Sequence, residues 1–105
     1  MNNITLDIKS LLLNASKALK ENKLIEGKKI LEQIQSINSN IFEVNFNLAT
    51  LNLQSGNLDA AIFFFEKAKK IKPKSTQVYF NLGLAYDSKK EKRLAIQNFK
   101  KVIEL

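Results

Sequence analysis

Cysteine, histidine and tryptophan are absent from the 105 residues, proline occurs once and glycine three times. Without cysteine or histidine, the thiolate and imidazole sites that hold zinc, haem iron, iron–sulfur clusters or copper cannot form, and there is no thiol nucleophile or imidazole acid/base. Paired carboxylates are the remaining catalytic option, but Asp59 with Glu66 and Glu26 with Glu32 read as solvated helix charges. No glycine-rich phosphate loop is present. The chain therefore reads as a non-enzyme with no metal and no cofactor. Long apolar runs are also missing from its N-terminal part: Leu11-Leu12-Leu13 is too short for a signal-peptide core or a membrane span. Lack of cysteine fits a reducing cytosol without requiring it, and the expectation is a cytoplasmic protein.

What is present is one small domain, 45% hydrophobic and 26% charged. A chain of this length hides about 60 to 65% of its unfolded surface, so its core must be built from local contacts. The net charge of +7 is unevenly placed. Residues 1–65 carry six lysines and six acids, and residues 66–105 carry eleven basic residues and four acids. A basic half suggests a polyanion. Against that, 16 lysines, 12 asparagines and 11 isoleucines share A- and T-rich codons, which supplies them without selection for binding. The run Lys89 to Arg93 has no interleaved aromatic residue, so no nucleic-acid stacking platform is indicated.

The chain repeats itself with a period of 34. Gly27, Ala61 and Ala95 keep that spacing, as do Leu31, Phe65 and Phe99, and Ala15, Ala49 and Gly83. Ile34, Ala68 and Val102 follow in the same register. The units are residues 8–41, 42–75 and 76–105, after a leader of residues 1–7. Each holds two helical patterns separated by a turn, near Asn22, Gly56 and Lys89. Small residues let the paired helices approach, and the large residue one helical turn later fills the space beside them. Pro73 disfavours helix in Lys72 and ends the second unit.

Unit three reads Tyr79-x2-Leu82-Gly83-x2-Tyr86 and then Ala95-x3-Phe99, and unit two closes with Ala61-x3-Phe65 and Pro73. This pattern resembles the tetratricopeptide repeat family. Unit one departs from it, with Leu11, Asn14 and Ala18 at the aromatic and leucine places and Ser39 at the proline. The resemblance implies an all-α fold, a right-handed α-solenoid of three helix-turn-helix units whose first helices line a concave groove for an extended peptide.

On those first helices, 100° spacing gathers Glu43, Asn47, Thr50 and Gln54 on the far side of unit two, with Phe46 at the shoulder. Unit three gives Gln77, Asn81, Leu84 and Ser88 with Phe80, and unit one gives Lys9, Leu13, Ser16 and Lys20 with Leu12. Asn47 and Asn81 each offer donors and an acceptor suited to a peptide main chain, a placement that resembles the asparagine ladder of O-linked N-acetylglucosamine transferases. Leu12, Phe46 and Phe80 form an apolar stripe, read either as ligand anchor or as core. Phe63 is expected on the convex side, exposed. The Lys, Asn and Arg clamp of chaperone-tail binders is missing: Leu12, Ser16, Gln77 and Asn81 hold its places beside Asn47.

The expected groove is therefore Asn47, Asn81, Phe46, Phe80, Leu12, Thr50 and Leu84, and the expected partner a protein or peptide. A solenoid needs a polar outer face at its end. Here Ile96, Phe99, Val102, Ile103 and Leu105 crowd the last helix. The expectation is self-association through Phe99, Val102, Ile103 and Leu105, most simply as a homodimer, or a natural chain that continues further. Alternative readings are a self-assembling module, an accessory segment of a larger transferase, and a polyanion binder.

Overall fold

A computed structural model describes the backbone from Ile4 to Leu105 and the side chains from Asp7 onward. The described residues form six helices and no strand: α1 (Ile4–Lys20), α2 (Leu24–Ile37), α3 (Phe42–Gln54), α4 (Leu58–Ile71), α5 (Thr76–Ser88) and α6 (Lys92–Glu104). Of the expected leader, residues 1–3 lie outside the described residues, and residues 4–7 open α1. The chain divides into two compact units, residues 1–39 and 40–105.

The turns inside the hairpins share one construction. Asn22, Gly56 and Lys90, spaced by 34, have φ of +60°, +83° and +66°. Each follows a helix whose last carbonyls are closed by a pair of backbone bonds. The Asn22 N–H donates to Leu19 O at 3.1 Å and the Lys23 N–H to Ala18 O at 2.8 Å. Gly56 and Asn57 do the same to Leu53 O and Asn52 O, and Lys90 and Glu91 to Asp87 O and Tyr86 O. This six-to-one, five-to-two pair requires a left-handed residue, which glycine and asparagine adopt at low cost and lysine does not. N-terminal caps contribute less: the Ser75 hydroxyl accepts from the Val78 N–H at 3.4 Å, and α2, α3, α4 and α6 start without a side-chain cap.

In residues 1–39, α1 and α2 close on Ala15, Ala18, Gly27, Leu31 and Ile34, all buried. A Cβ on Gly27 would lie 2.7 Å from Leu19 Cδ2, the tip of a half-buried side chain that would have to shift to admit it. In residues 40–105, Ala49, Ala61, Phe65, Ala68, Val78 and Leu82 form one apolar cluster with no exposure. Phe65, fully buried, contributes about 1.5 to 3 kcal/mol of transfer energy by itself. Val44 and Val78, again 34 apart, are fully buried core positions that the family-like motif does not mark.

Three asparagines are buried with them, and each donates its Nδ2 to the backbone carbonyl one turn back, Asn52 also accepting from Asn57 Nδ2 at 3.4 Å. Asn45 Nδ2 donates to Ile41 O at 2.9 Å, Asn52 Nδ2 to Leu48 O at 2.7 Å, and Asn98 Nδ2 to Leu94 O at 2.8 Å. A buried amide left without partners would cost about 1 to 3 kcal/mol, and the carbonyl one turn back removes that penalty.

Candidate peptide-binding groove

The first helices of residues 40–105, α3 and α5, border a shallow cavity of about 320 Å³ lined by Phe46, Thr76, Gln77, Phe80, Asn81 and Val102. Three expected groove residues, Phe46, Phe80 and Asn81, thus meet in one place. Phe46 is half-buried and stacks on Phe42 with centroids 5.7 Å apart, its ring also meeting Phe65 edge-on at 5.8 Å. Phe80 keeps 48% of its surface exposed and rests on Phe99 at 5.8 Å. Both rings therefore lean on the second helix of their own unit and leave a face toward the cavity.

Asn47 and Asn81 are half-buried, and among the described residues no hydrogen bond engages either amide. Asn81 lines the cavity, while Asn47, Thr50 and Leu84 lie outside its rim. The Thr50 hydroxyl donates to Phe46 O at 2.9 Å, so its proton is already used inside α3. Leu84 is exposed. Leu12 belongs to residues 1–39, where it is half-buried on α1.

Val102, expected at the C-terminal end, also borders this cavity. The register marks it only as the counterpart of Ala68, 34 residues earlier, and carries no signal that it borders the cavity. Phe99 is half-buried, while Ile103 is 86% exposed and Leu105 48%. Phe63 is 58% exposed and packs edge-on against Phe64 at 5.2 Å, as its place on the helix wheel implied.

On the opposite side of α5 lies a second cavity, about 440 Å³, between α4 and α6. Its floor holds the Tyr86 hydroxyl, which donates to Glu66 Oε2 at 3.0 Å, and Lys69 Nζ lies 2.7 Å from Glu66 Oε1. Burial, then the Glu66 charge and the hydrogen bond to it, push the Tyr86 phenol up to about 12. Part of the basic surplus is tied down. Lys89 Nζ is 2.8 Å from Asp59 Oδ1, whose hydrogen bond and charge hold the ammonium above its usual value, and Lys72 Nζ stands 4.5 Å over the Phe42 ring. Among the described residues, no three His, Cys, Asp or Glu side chains come together as a metal-holding group, and no helix is long and apolar enough to cross a membrane.

A tetratricopeptide repeat profile matches residues 42–75 and 76–105, more than half of the chain. No curated protein sequence matches it. Among solved structures, MamA from AMB-1 has a TM-score of 0.86 at 23% identity, over 93% of this chain and 54% of that one. A further crystal structure of MamA gives 0.84 at 25% identity, over 92% and 57%. MamA from MSR-1 gives 0.82 at 24%, over 92% and 56%. At such identities the likeness is one of fold, an all-α array of helix-turn-helix units. The chain spans somewhat more than half the length of these MamA chains.

Proposed function

The chain belongs to the tetratricopeptide repeat family, and from that premise we propose that it is a protein-interaction scaffold whose α3–α5 groove holds an extended peptide of a partner. The observation that carries the reading is the meeting of Phe46, Phe80 and Asn81 at one cavity, two half-exposed rings beside an amide with free donors and acceptor. The rings take an apolar side chain of the ligand, and the Asn81 amide bonds the C=O and N–H of its main chain. Asn47, Thr50 and Leu84 extend the same helix faces beyond the cavity. The reading contains no catalytic step, and a cytoplasmic location is part of the proposal, supported by the lack of cysteine.

The test uses a peptide selected against the chain by display and titrated calorimetrically. Asn81→Ala removes about 0.5 to 1.5 kcal/mol of binding, and Phe80→Ala removes more. Unchanged affinity in the double variant refutes the groove. The exposed side chains of α6 favour a second reading, self-association through Phe99, Val102, Ile103 and Leu105. Light scattering at micromolar concentration tests it, and a monomer unaltered by Ile103→Lys rules against it.

A further inference from the structure

The two cavities beside α5 differ in charge. Five charged side chains, Glu66, Lys69, Lys100, Lys101 and Glu104, line the one between α4 and α6. The one bordered by α3 and α5 is lined by six residues, none of them charged. The contrast runs the length of both first helices. None of the 17 lysines and arginines falls on α3 or α5, whose only acids are Glu43 and Asp87. By comparison, α4 carries Lys67, Lys69 and Lys70, and α6 carries Lys92, Arg93, Lys100 and Lys101.

Burial does not explain the difference, because α5 exposes Thr76, Gln77, Phe80, Leu84, Asp87 and Ser88, places where a lysine ammonium would stay in water. Codon bias does not explain it either. Lysine and asparagine draw on neighbouring A-rich codons, yet α3 holds Asn45, Asn47 and Asn52 and α5 holds Asn81, without one lysine. These helices take the amide where the second helices take the ammonium.

A groove without cations discriminates by what it leaves unpaired. A peptide carboxylate brought against Phe46, Phe80 and Asn81 gives up water and meets no positive partner, whereas a side-chain amide or hydroxyl bonds the Asn81 amide instead. The basic residues close to the cavity in sequence are placed elsewhere. Lys72 Nζ stands 4.5 Å over the Phe42 ring, Lys100 and Lys101 line the other cavity, and Lys74, exposed in the loop before Ser75, lines neither. The net charge of +7 therefore draws acidic chains toward the molecule without pairing them inside this groove. We propose, on the reading that the α3–α5 groove holds a peptide, that it selects an uncharged internal stretch of its partner. One apolar side chain enters the cavity, Ser, Thr, Asn, Gln or Gly stands on either side of it, and acidic stretches and free C-termini are rejected.

The probe is a displayed library of random peptide segments held between Gly-Ser flanks, so that no chain end enters the segment. It is selected against the full chain and counter-selected against the chain bearing Phe80→Ala and Asn81→Ala, whose helical spectrum matches the wild type. Sequences kept by the first and lost by the second depend on the groove, and they are depleted of Asp, Glu, Lys and Arg relative to the starting library. As synthetic peptides they lose about tenfold in affinity when Asp replaces the residue beside the apolar anchor, or when the peptide is cut to leave a free carboxylate there, and amidation restores the latter. Their own affinity changes by less than about twofold between low and high salt. Gln77→Lys, at an exposed place in the cavity lining, restores the Asp-bearing peptide about tenfold. Groove-dependent sequences rich in acids or bases, a strong salt dependence, or indifference to the Asp and carboxylate changes overturns the uncharged preference and leaves the groove standing. A selection that yields no sequence dependent on Phe80 and Asn81 overturns the groove and its preference together.

Discussion

Replacing Gly56 by alanine and Lys90 by glycine are mirror-image perturbations of the same turn. Gly56 has φ of +83° and open space around the place a Cβ would occupy, with no heavy atom within 4 Å. The substitution therefore meets no steric clash, and its cost is that of holding an L-residue in the left-handed region, about 1 to 2 kcal/mol. Alanine returns about 0.4 to 1 kcal/mol by restricting the unfolded chain. The net expectation is a loss of about 0.5 to 1 kcal/mol, a fall in Tm of roughly 2 to 8 °C for a domain of this size. At Lys90, φ +66°, the signs reverse and Lys90→Gly stabilises by a similar amount. The two positions lie in different hairpins, so the effects add, and the double variant unfolds close to the wild type. Urea and thermal unfolding followed by far-ultraviolet circular dichroism measure all three. A neutral or stabilising Gly56→Ala, or a destabilising Lys90→Gly, refutes the claim that backbone conformation alone sets the preference at these turns.

Ala61 is fully buried at the α3–α4 crossing, and Ala61→Leu overpacks it at a cost of about 1 to 3 kcal/mol in urea unfolding. Phe65→Ala costs about 3 to 5 kcal/mol, whereas Phe99→Ala, at the same register position but half-buried, costs clearly less; equal losses would show that the end of α6 is as well covered as the interior. Tyr86, held near 12 against an ordinary value near 10, keeps its proton longer folded than unfolded. Its contribution is complete below pH 10 and is lost as pH rises through 12, so the wild type loses urea midpoint over that window faster than Tyr86→Phe does, and parallel curves would contradict the Glu66 contact.

The 34-residue register made the hairpins legible because each element repeats the same conflict between small and large side chains. Gly27, Ala61 and Ala95 are all buried, and the observed left-handed residues fall at or next to the expected turn positions. Val44 and Val78 were legible in principle, as a β-branched pair in register, but a motif built on aromatic and small residues passes over them. The groove was legible only as a helix face. Periodicity places Thr50 there, but cannot tell that its hydroxyl bonds Phe46 O, and places Val102 at an end without telling that it reaches the cavity. Such details depend on rotamers and neighbouring volumes, which a helical wheel does not contain.

The buried asparagines bear on how the groove adapts. Asn45, Asn52 and Asn98 each donate through Nδ2 to the carbonyl one turn back, so these three donors are satisfied by local backbone and move with it. The apolar parts of the α3–α4 and α5–α6 seams are held by dispersion and water exclusion, forces without direction. A small roll of α3 about its axis leaves the Asn45 and Asn52 donors satisfied, whereas a roll of α5 pulls on the Tyr86–Glu66 and Lys89–Asp59 contacts to α4. The cavity between them therefore behaves as a jaw with unequal sides, the α3 wall yielding to a ligand side chain more readily than the α5 wall, which is tethered by polar contacts.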